Sequence, residues 1–300
     1  MKKSVILSFL LILPFIISCN ENKKEEDLNF KNLNLTILID LSDRISIKKN
    51  PDQVEKDLYI INSVLNSFKK FLYHKGVVQS DDKIKVIFYP INNNSILQET
   101  ADSLYIDFEQ IDLMERKQVF ASLNDLYNRN LKKIYSIASR ANSYPGSDLF
   151  NYFKHRVVDD CILLDNRFIN VLVILTDGYL FDENVKYNYG NRYSYLAPLA
   201  QHITQFRKMK NWENLFNQKD YGLIKIDNDL SRLNILIAEF NPPKAHPEDF
   251  DIIKKYWSKW LIEQNVNKSN FKILKTDLNY LNSSIIQKFF EDILKRNSAL

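Results

Sequence analysis

The sequence predicts an α/β fold: a doubly wound, mostly parallel central sheet flanked by helices. Three observations predict it. Apolar runs rich in β-branched residues recur at Leu33 to Leu41 (LNLTILIDL), Phe168 to Thr176 (FINVLVILT) and Leu233 to Phe240 (LNILIAEF). They are apolar at nearly every position, as strands covered on both faces must be. The stretches between them carry a helical apolar period and are long enough for the crossovers that parallel neighbours require. Finally, 45% hydrophobic and 13% aromatic residues in 300 give ample material for a core.

The elements follow in order. After the first strand, Val54, Leu58, Ile61, Leu65, Phe68 and Leu72 form one face of a helix over 53–74. Lys83 to Ile91 (KIKVIFYPI) is the second strand, and Leu104-Tyr105-Ile106 a short edge strand. A helix is expected over 115–141. Ser143 to Ser147 (SYPGS) is a turn, 148–158 a helix, 195–217 another and 248–264 a third. Phe271 to Leu274 is a short strand, and 280–296 the last helix. Residues 33–300 contain no repeat and no long Pro/Gly/Ser linker, so they read as one domain with an insertion near 92–141.

Composition excludes several classes. The net charge is +4, from 41 basic and 37 acidic residues, without the concentrated basic stripe of a nucleic-acid binder. Five glycines exclude collagen-like and β-helix repeats. Two cysteines are too few for a disulfide scaffold or a cysteine zinc site. The four histidines are scattered without ligand spacing and read as surface or capped residues. Trp257 and Trp260, at i and i+3, read as core packing.

The first 18 residues read as a secretory leader: Met-Lys-Lys, then an apolar run from Val5 to Ile17 that is too short for a comfortable membrane span. The ending Ile16-Ile17-Ser18-Cys19 resembles a bacterial lipobox, which implies cleavage before Cys19 and lipidation of its sulfur. Loss of Lys2 and Lys3 with the leader would take the charge from +4 to +2. Cys161 then has no partner cysteine and reads as a buried thiol. Residues 19–32, acylated cysteine and polar tether, would hold the domain at the membrane, and the expected location is the outer membrane, facing the periplasm or the cell surface.

Ligands of open parallel sheets bind outside the carboxyl ends of the strands. There the first strand ends Asp40-Leu41-Ser42-Asp43-Arg44, the strand at 168–176 ends Thr176-Asp177-Gly178, and a third loop reads Gly146-Ser147-Asp148. Hard oxygen donors of this kind suit Mg²⁺, Mn²⁺ or Ca²⁺ and not zinc. The constellation resembles the von Willebrand factor A (vWA) domain and its metal-ion-dependent adhesion site (MIDAS), with Asp40, Ser42, Ser147 and Asp177 matching family positions. Arg44 stands where the family has a second metal-binding serine. A guanidinium has no acceptor atom, so either it points away and a water takes its place, or it neutralises the carboxylates.

Tyr179, Tyr187, Tyr189, Tyr193 and Tyr195 with Arg192 in residues 178–195 have the tyrosine-rich composition of recognition loops. Together with Arg44, the residues Tyr179, Tyr189, Arg192 and Tyr193 are the expected binding face, and Phe240 to Pro247 (FNPPKAHP) a second wall. The expectation is a lipid-anchored, non-enzymatic module that recognises a protein partner, with no nucleic acid involved. The alternatives are a structural envelope subunit with a dead metal site and a metal-assisted hydrolase or phosphatase. Against the last, Ser42 stands where an Asp-x-Asp phosphatase would need its second aspartate.

Overall fold

The structure, a computed structural model, describes residues 31–90, 95–144, 146–182, 185–275 and 279–298. The leader, Cys19 and the tether as far as residue 30 lie outside the described residues. The elements run β1 (Asn32–Asp40), α1 (Gln53–Lys75), β2 (Lys83–Tyr89), α2 (Ser95–Asp102), β3 (Ile106–Asp107), α3 (Arg116–Ala138), α4 (Leu149–His155), α5 (Val157–Cys161) and β4 (Phe168–Leu175). They continue with β5 (Asn188–Tyr189), β6 (Arg192–Tyr193), α6 (Gln201–Thr204), α7 (Trp212–Gln218), β7 (Gly222–Leu223), β8 (Leu233–Phe240), α8 (Asp249–Glu263), β9 (Phe271–Lys275) and α9 (Asn279–Ser298).

The main sheet has the order β3-β2-β1-β4-β8-β9. Every pairing is parallel except β2 with β3. The three apolar runs of the sequence are its three central strands, each buried at every position. Side chains alternate across the sheet. Leu33, Leu35, Ile37 and Ile39 join α1, α3 and α9 in one core, while Leu38 joins α4, α5 and α8 in a second core on the opposite face. Trp257 and Trp260 of α8 are fully buried in that second core.

The stretch from 92 to 141 supplies the edge strand β3 and the helix α3, whose Leu123, Tyr127, Leu131 and Ile134 are buried against the α1 side of the sheet. The edge strand begins two residues later than expected. Leu104 is buried but unpaired in the sheet, and Ile106 and Asp107 make the ladder with Ile84 and Lys83.

Two helices differ from expectation. Instead of one helix over 195–217 there are α6 and α7 with turns between them. Ile203, Phe206 and Phe216 are buried, but in Lys208 to Asn211 the single apolar residue, Met209, is exposed at 40% and does not continue the stripe into the core. Arg207 is drawn instead into a fork with Asp249 of α8 (2.8 Å from both Nε and Nη2). The helix over 148–158 is divided at Arg156, where φ is −128°, into α4 and α5. Cys161, at the end of α5, is fully buried beside the Tyr152 hydroxyl, and burial pushes its thiol up to about 11.

Candidate functional site

Register brings the predicted residues together. Ile39 of β1 lies opposite Leu175 of β4, so Asp40 and Thr176 leave the sheet side by side. Asp40 is fully buried. Its Oδ1 accepts the Ser42 backbone N–H at 2.9 Å; its Oδ2 accepts the Ser147 hydroxyl at 2.8 Å and the Thr176 hydroxyl at 2.9 Å. Three loops are therefore tied to one carboxylate, and Asp40, Ser42, Ser147 and Asp177 converge with Thr176 as a fifth oxygen donor.

Each loop has a local reason to sit there. Gly146 has φ +98°, and a Cβ would fall 2.1 Å from the Phe181 carbonyl oxygen, so only glycine lets Ser147 pair with Phe181. Gly178 has φ +90° and would drive a Cβ into the Phe240 ring at 2.8 Å; its carbonyl accepts the Trp257 indole N–H at 2.9 Å. Between them Asp177 accepts the Tyr179 N–H at 3.0 Å.

Electrostatics mark the spot. Burial raises the Asp40 carboxyl above its ordinary value, against the pull of Arg44 and three hydrogen bonds. Asp177 is pushed up to about 7, by burial first and then by the Asp40 charge. Two carboxylates thus share a site where burial outweighs the pull of Arg44 on both.

Arg44 acts on them only at a distance, because its guanidinium is bonded to Asp57. It is 3% exposed and lies beneath the site, off the binding face on which the sequence placed it. Its Nη1 and Nη2 fork onto Asp57 at 3.1 and 2.6 Å, and its Nε donates to the Asp40 backbone carbonyl at 2.9 Å. Gln53, Tyr135 and Glu239 complete the buried network: Gln53 donates to Asp57 and Glu239, and the Tyr135 hydroxyl donates to Asp57 at 2.6 Å. Sequence reasoning missed Asp57 and Gln53. The signal was there, since they stand at i and i+4 on the α1 stripe that continues through Ile60, Ile61 and Val64.

The site opens into a cleft of about 970 Å³. Ser42, Ser147 and Asp177 form its floor, Tyr195 to Gln201 one wall, and Asn241 to Lys244 the other, so the proline-rich segment lies where it was expected. The tyrosine-rich face is largely otherwise engaged. Tyr179 is buried, its hydroxyl donating to Asp249 at 2.8 Å. Arg192 is held by Asp220 and Glu263. Tyr193 stacks on His202 with ring centroids 3.7 Å apart. Tyr189 is exposed, at 71%. Arg192 and Tyr193 are the two residues of β6, the middle strand of the small sheet β5-β6-β7.

His202 corrects the reading of all histidines as surface or capped: it is 2% exposed, and burial lowers its pKa to about 4. An unfolded histidine titrates near 6.5. Below that pH the unfolded chain binds a proton that the native one refuses, so stability should fall as pH drops from about 6.5 to 4. The loss saturates at about 3 kcal/mol. Urea titrations of the wild type and His202→Gln should show this slope in the first and not in the second.

Among the described residues no cluster of three or more His, Cys, Asp or Glu side chains is placed to hold a metal. No protein-family model matches the chain, and no curated protein matches it. Two solved structures of proximal thread matrix protein 1 from the mussel byssus align with 88% and 90% of it, at 11% and 9% identity and TM-scores of 0.37 and 0.35. The chain spans about half the length of those proteins, 48% and 47%.

Proposed function

We propose that the chain is a lipid-anchored, non-enzymatic binding module of the bacterial envelope, built on a doubly wound vWA-like domain. It recognises a protein partner through a divalent-cation site of the MIDAS type. The observation that carries this reading is the convergence of Asp40, Ser42, Ser147, Thr176 and Asp177 on one spot at the floor of an open cleft.

The donor set fits Mg²⁺, Mn²⁺ or Ca²⁺. All five groups are hard oxygens, and two carboxylates crowd each other while the nearest cation, Arg44, is committed to Asp57. Ser42, Ser147, Asp40 and Asp177 would hold the ion, and Thr176 would orient Asp40. The ion would supply a positive centre able to accept an acidic side chain of the partner. The second reading, a structural subunit with a dead site, is favoured by one observation: Arg44 removes a ligand that the vWA pattern provides.

Calorimetric titration with each of the three cations separates the two. Binding to the wild type is expected, with Thr176→Val weakening it about 10–100-fold by releasing the Asp40 carboxylate from its orienting hydroxyl. No heat at millimolar cation would put the structural reading ahead. The anchor has its own check: mass spectrometry of the mature N-terminus should find an acylated Cys19, and an unmodified Cys19 in a water-soluble product would overturn the outer-membrane location. Among the described residues no helix is long and apolar enough to cross a membrane.

A further inference from the structure

The opposite end of the main sheet carries a second candidate site. The amino ends of β1, β4 and β8 lie together there, because Asn32 is opposite Phe168 and Asn170 opposite Leu233. Asn32 and Asp40 are the two ends of β1, so at the rise of an extended strand this end is about 26 Å from the metal site. A cleft of about 320 Å³ opens between the residues that precede these strands and the last turn of α9.

Its lining is cationic and rich in amides. Lys31, Arg232 and Arg296 supply three positive charges, five asparagines accompany them, and no aspartate or glutamate takes part. No ion pair among the described residues includes any of the three cations. The acids beside the lining in sequence are engaged elsewhere. Asp165 is paired with Arg167 at 2.8 Å. Asp229 accepts the Ser231 N–H at 3.0 Å and the Asn265 amide at 3.4 Å, and Arg232 is the least of the influences that lower its carboxyl.

Both guanidiniums are positioned by neutral acceptors. Arg296 Nη2 donates to the side chain of the buried Asn234 at 3.1 Å, and Arg232 Nη1 to the Leu164 carbonyl at 2.7 Å. Each arginine therefore keeps its charge uncompensated and has N–H donors left over. Like charges gathered in one cleft repel each other, and a bound anion relieves that repulsion. Guanidinium, ammonium and amide donors together match the oxygens of a phosphate group, which takes several charge-assisted hydrogen bonds at once. We propose that this cleft is a binding site for a phosphate group. The course of the chain favours a phospholipid headgroup over free phosphate as its source. Lys31 lines the cleft and stands twelve residues after Cys19. Twelve residues span at most about 40 Å, so an acyl chain on Cys19 would keep this end of the domain near the headgroups. That choice of source rests on the lipid anchor proposed above; the phosphate chemistry does not.

The test uses the mature chain with Cys19→Ser, so that no acyl chain contributes. Two probes are titrated at constant ionic strength: inorganic phosphate, and vesicles of phosphatidylglycerol in phosphatidylcholine. Phosphate should bind the wild-type cleft. Arg232→Gln/Arg296→Gln should weaken it at least tenfold, and Arg232→Lys/Arg296→Lys, which keeps both charges, should bind more tightly than the glutamine variant. Lys132→Gln/Lys133→Gln, which removes two exposed charges from α3, should change little. Vesicles that bind, are displaced by phosphate and lose at least tenfold in the glutamine variant assign the headgroup as the source. Phosphate binding without vesicle binding assigns free phosphate. The proposal fails if millimolar phosphate neither binds nor displaces vesicles, or if the α3 variant loses as much as the glutamine variant, the mark of diffuse attraction. It also fails if phosphate binds only after Glu25→Gln/Glu26→Gln/Asp27→Asn, which would make the tether's own carboxylates the occupant. An unacylated Cys19 in the mature protein would overturn the anchor and leave each of these results standing.

Discussion

Arg44→Met is expected to destabilise the protein by about 3–5 kcal/mol, the usual cost of removing one partner from a buried ion pair. The side chains of Arg44 and Asp57 are 2% and 0% exposed, and the guanidinium fork is the only positive charge that Asp57 meets among the described residues. Without it Asp57 keeps the Gln53 amide and the Tyr135 hydroxyl, two neutral donors that cannot offset a desolvated carboxylate. The link from Arg44 Nε to the Asp40 carbonyl is lost as well, so the loop that opens the site loosens. Arg44→Met/Asp57→Asn should recover most of the loss, because the stranded charge is then gone. A double-mutant cycle by urea denaturation reads the coupling directly. A loss below about 1 kcal/mol in the single variant would mean that the pair contributes little to stability, as exposed pairs do.

The same residue marks what the sequence could tell and what it could not. The central strands were legible because a sheet covered on both faces demands uninterrupted apolar runs, and β1, β4 and β8 have them. The convergence of Asp40, Ser147 and Thr176 follows from those runs once β1 and β4 are neighbours, since their carboxyl ends must then lie together. The direction of Arg44 was open, because it depends on Asp57, thirteen residues further on and on another element. The packing of the tyrosine loop was open for a related reason. Composition does not say whether Tyr179 and Tyr193 face solvent or find Asp249 and His202, which come from α8 and α6. Short elements such as β5, β6 and β7 carry no period of their own and are set by such long-range partners.

At pH 8 and without divalent cations, Asp177→Asn should make the protein more stable by about 2–4 kcal/mol. The sign follows from linkage. The Asp177 carboxyl is pushed up to about 7 in the folded chain, against about 3.9 for an unfolded aspartate. A raised carboxyl pKa means that the native state binds its proton more tightly. Its contribution to stability is then full below about pH 4 and is lost as pH rises toward 7. Above pH 7 the native state carries two crowded carboxylates, Asp40 and Asp177. The asparagine removes one charge and retains an oxygen for the Tyr179 N–H. At pH 4 the gain should vanish, because the wild-type carboxyl is already protonated. Divalent cations should shift the balance the other way. A cation at a hundred times its dissociation constant stabilises the native state by about 2.7 kcal/mol, and only the wild type has the second carboxylate to bind it. Saturating Mn²⁺ should therefore raise the wild-type unfolding midpoint and leave Asp177→Asn unmoved, narrowing or inverting the difference seen without metal. Equal stability of the two proteins at pH 8 without metal would show that the carboxylates are not in conflict. A midpoint of Asp177→Asn that rises with Mn²⁺ as much as the wild type's would place the cation elsewhere.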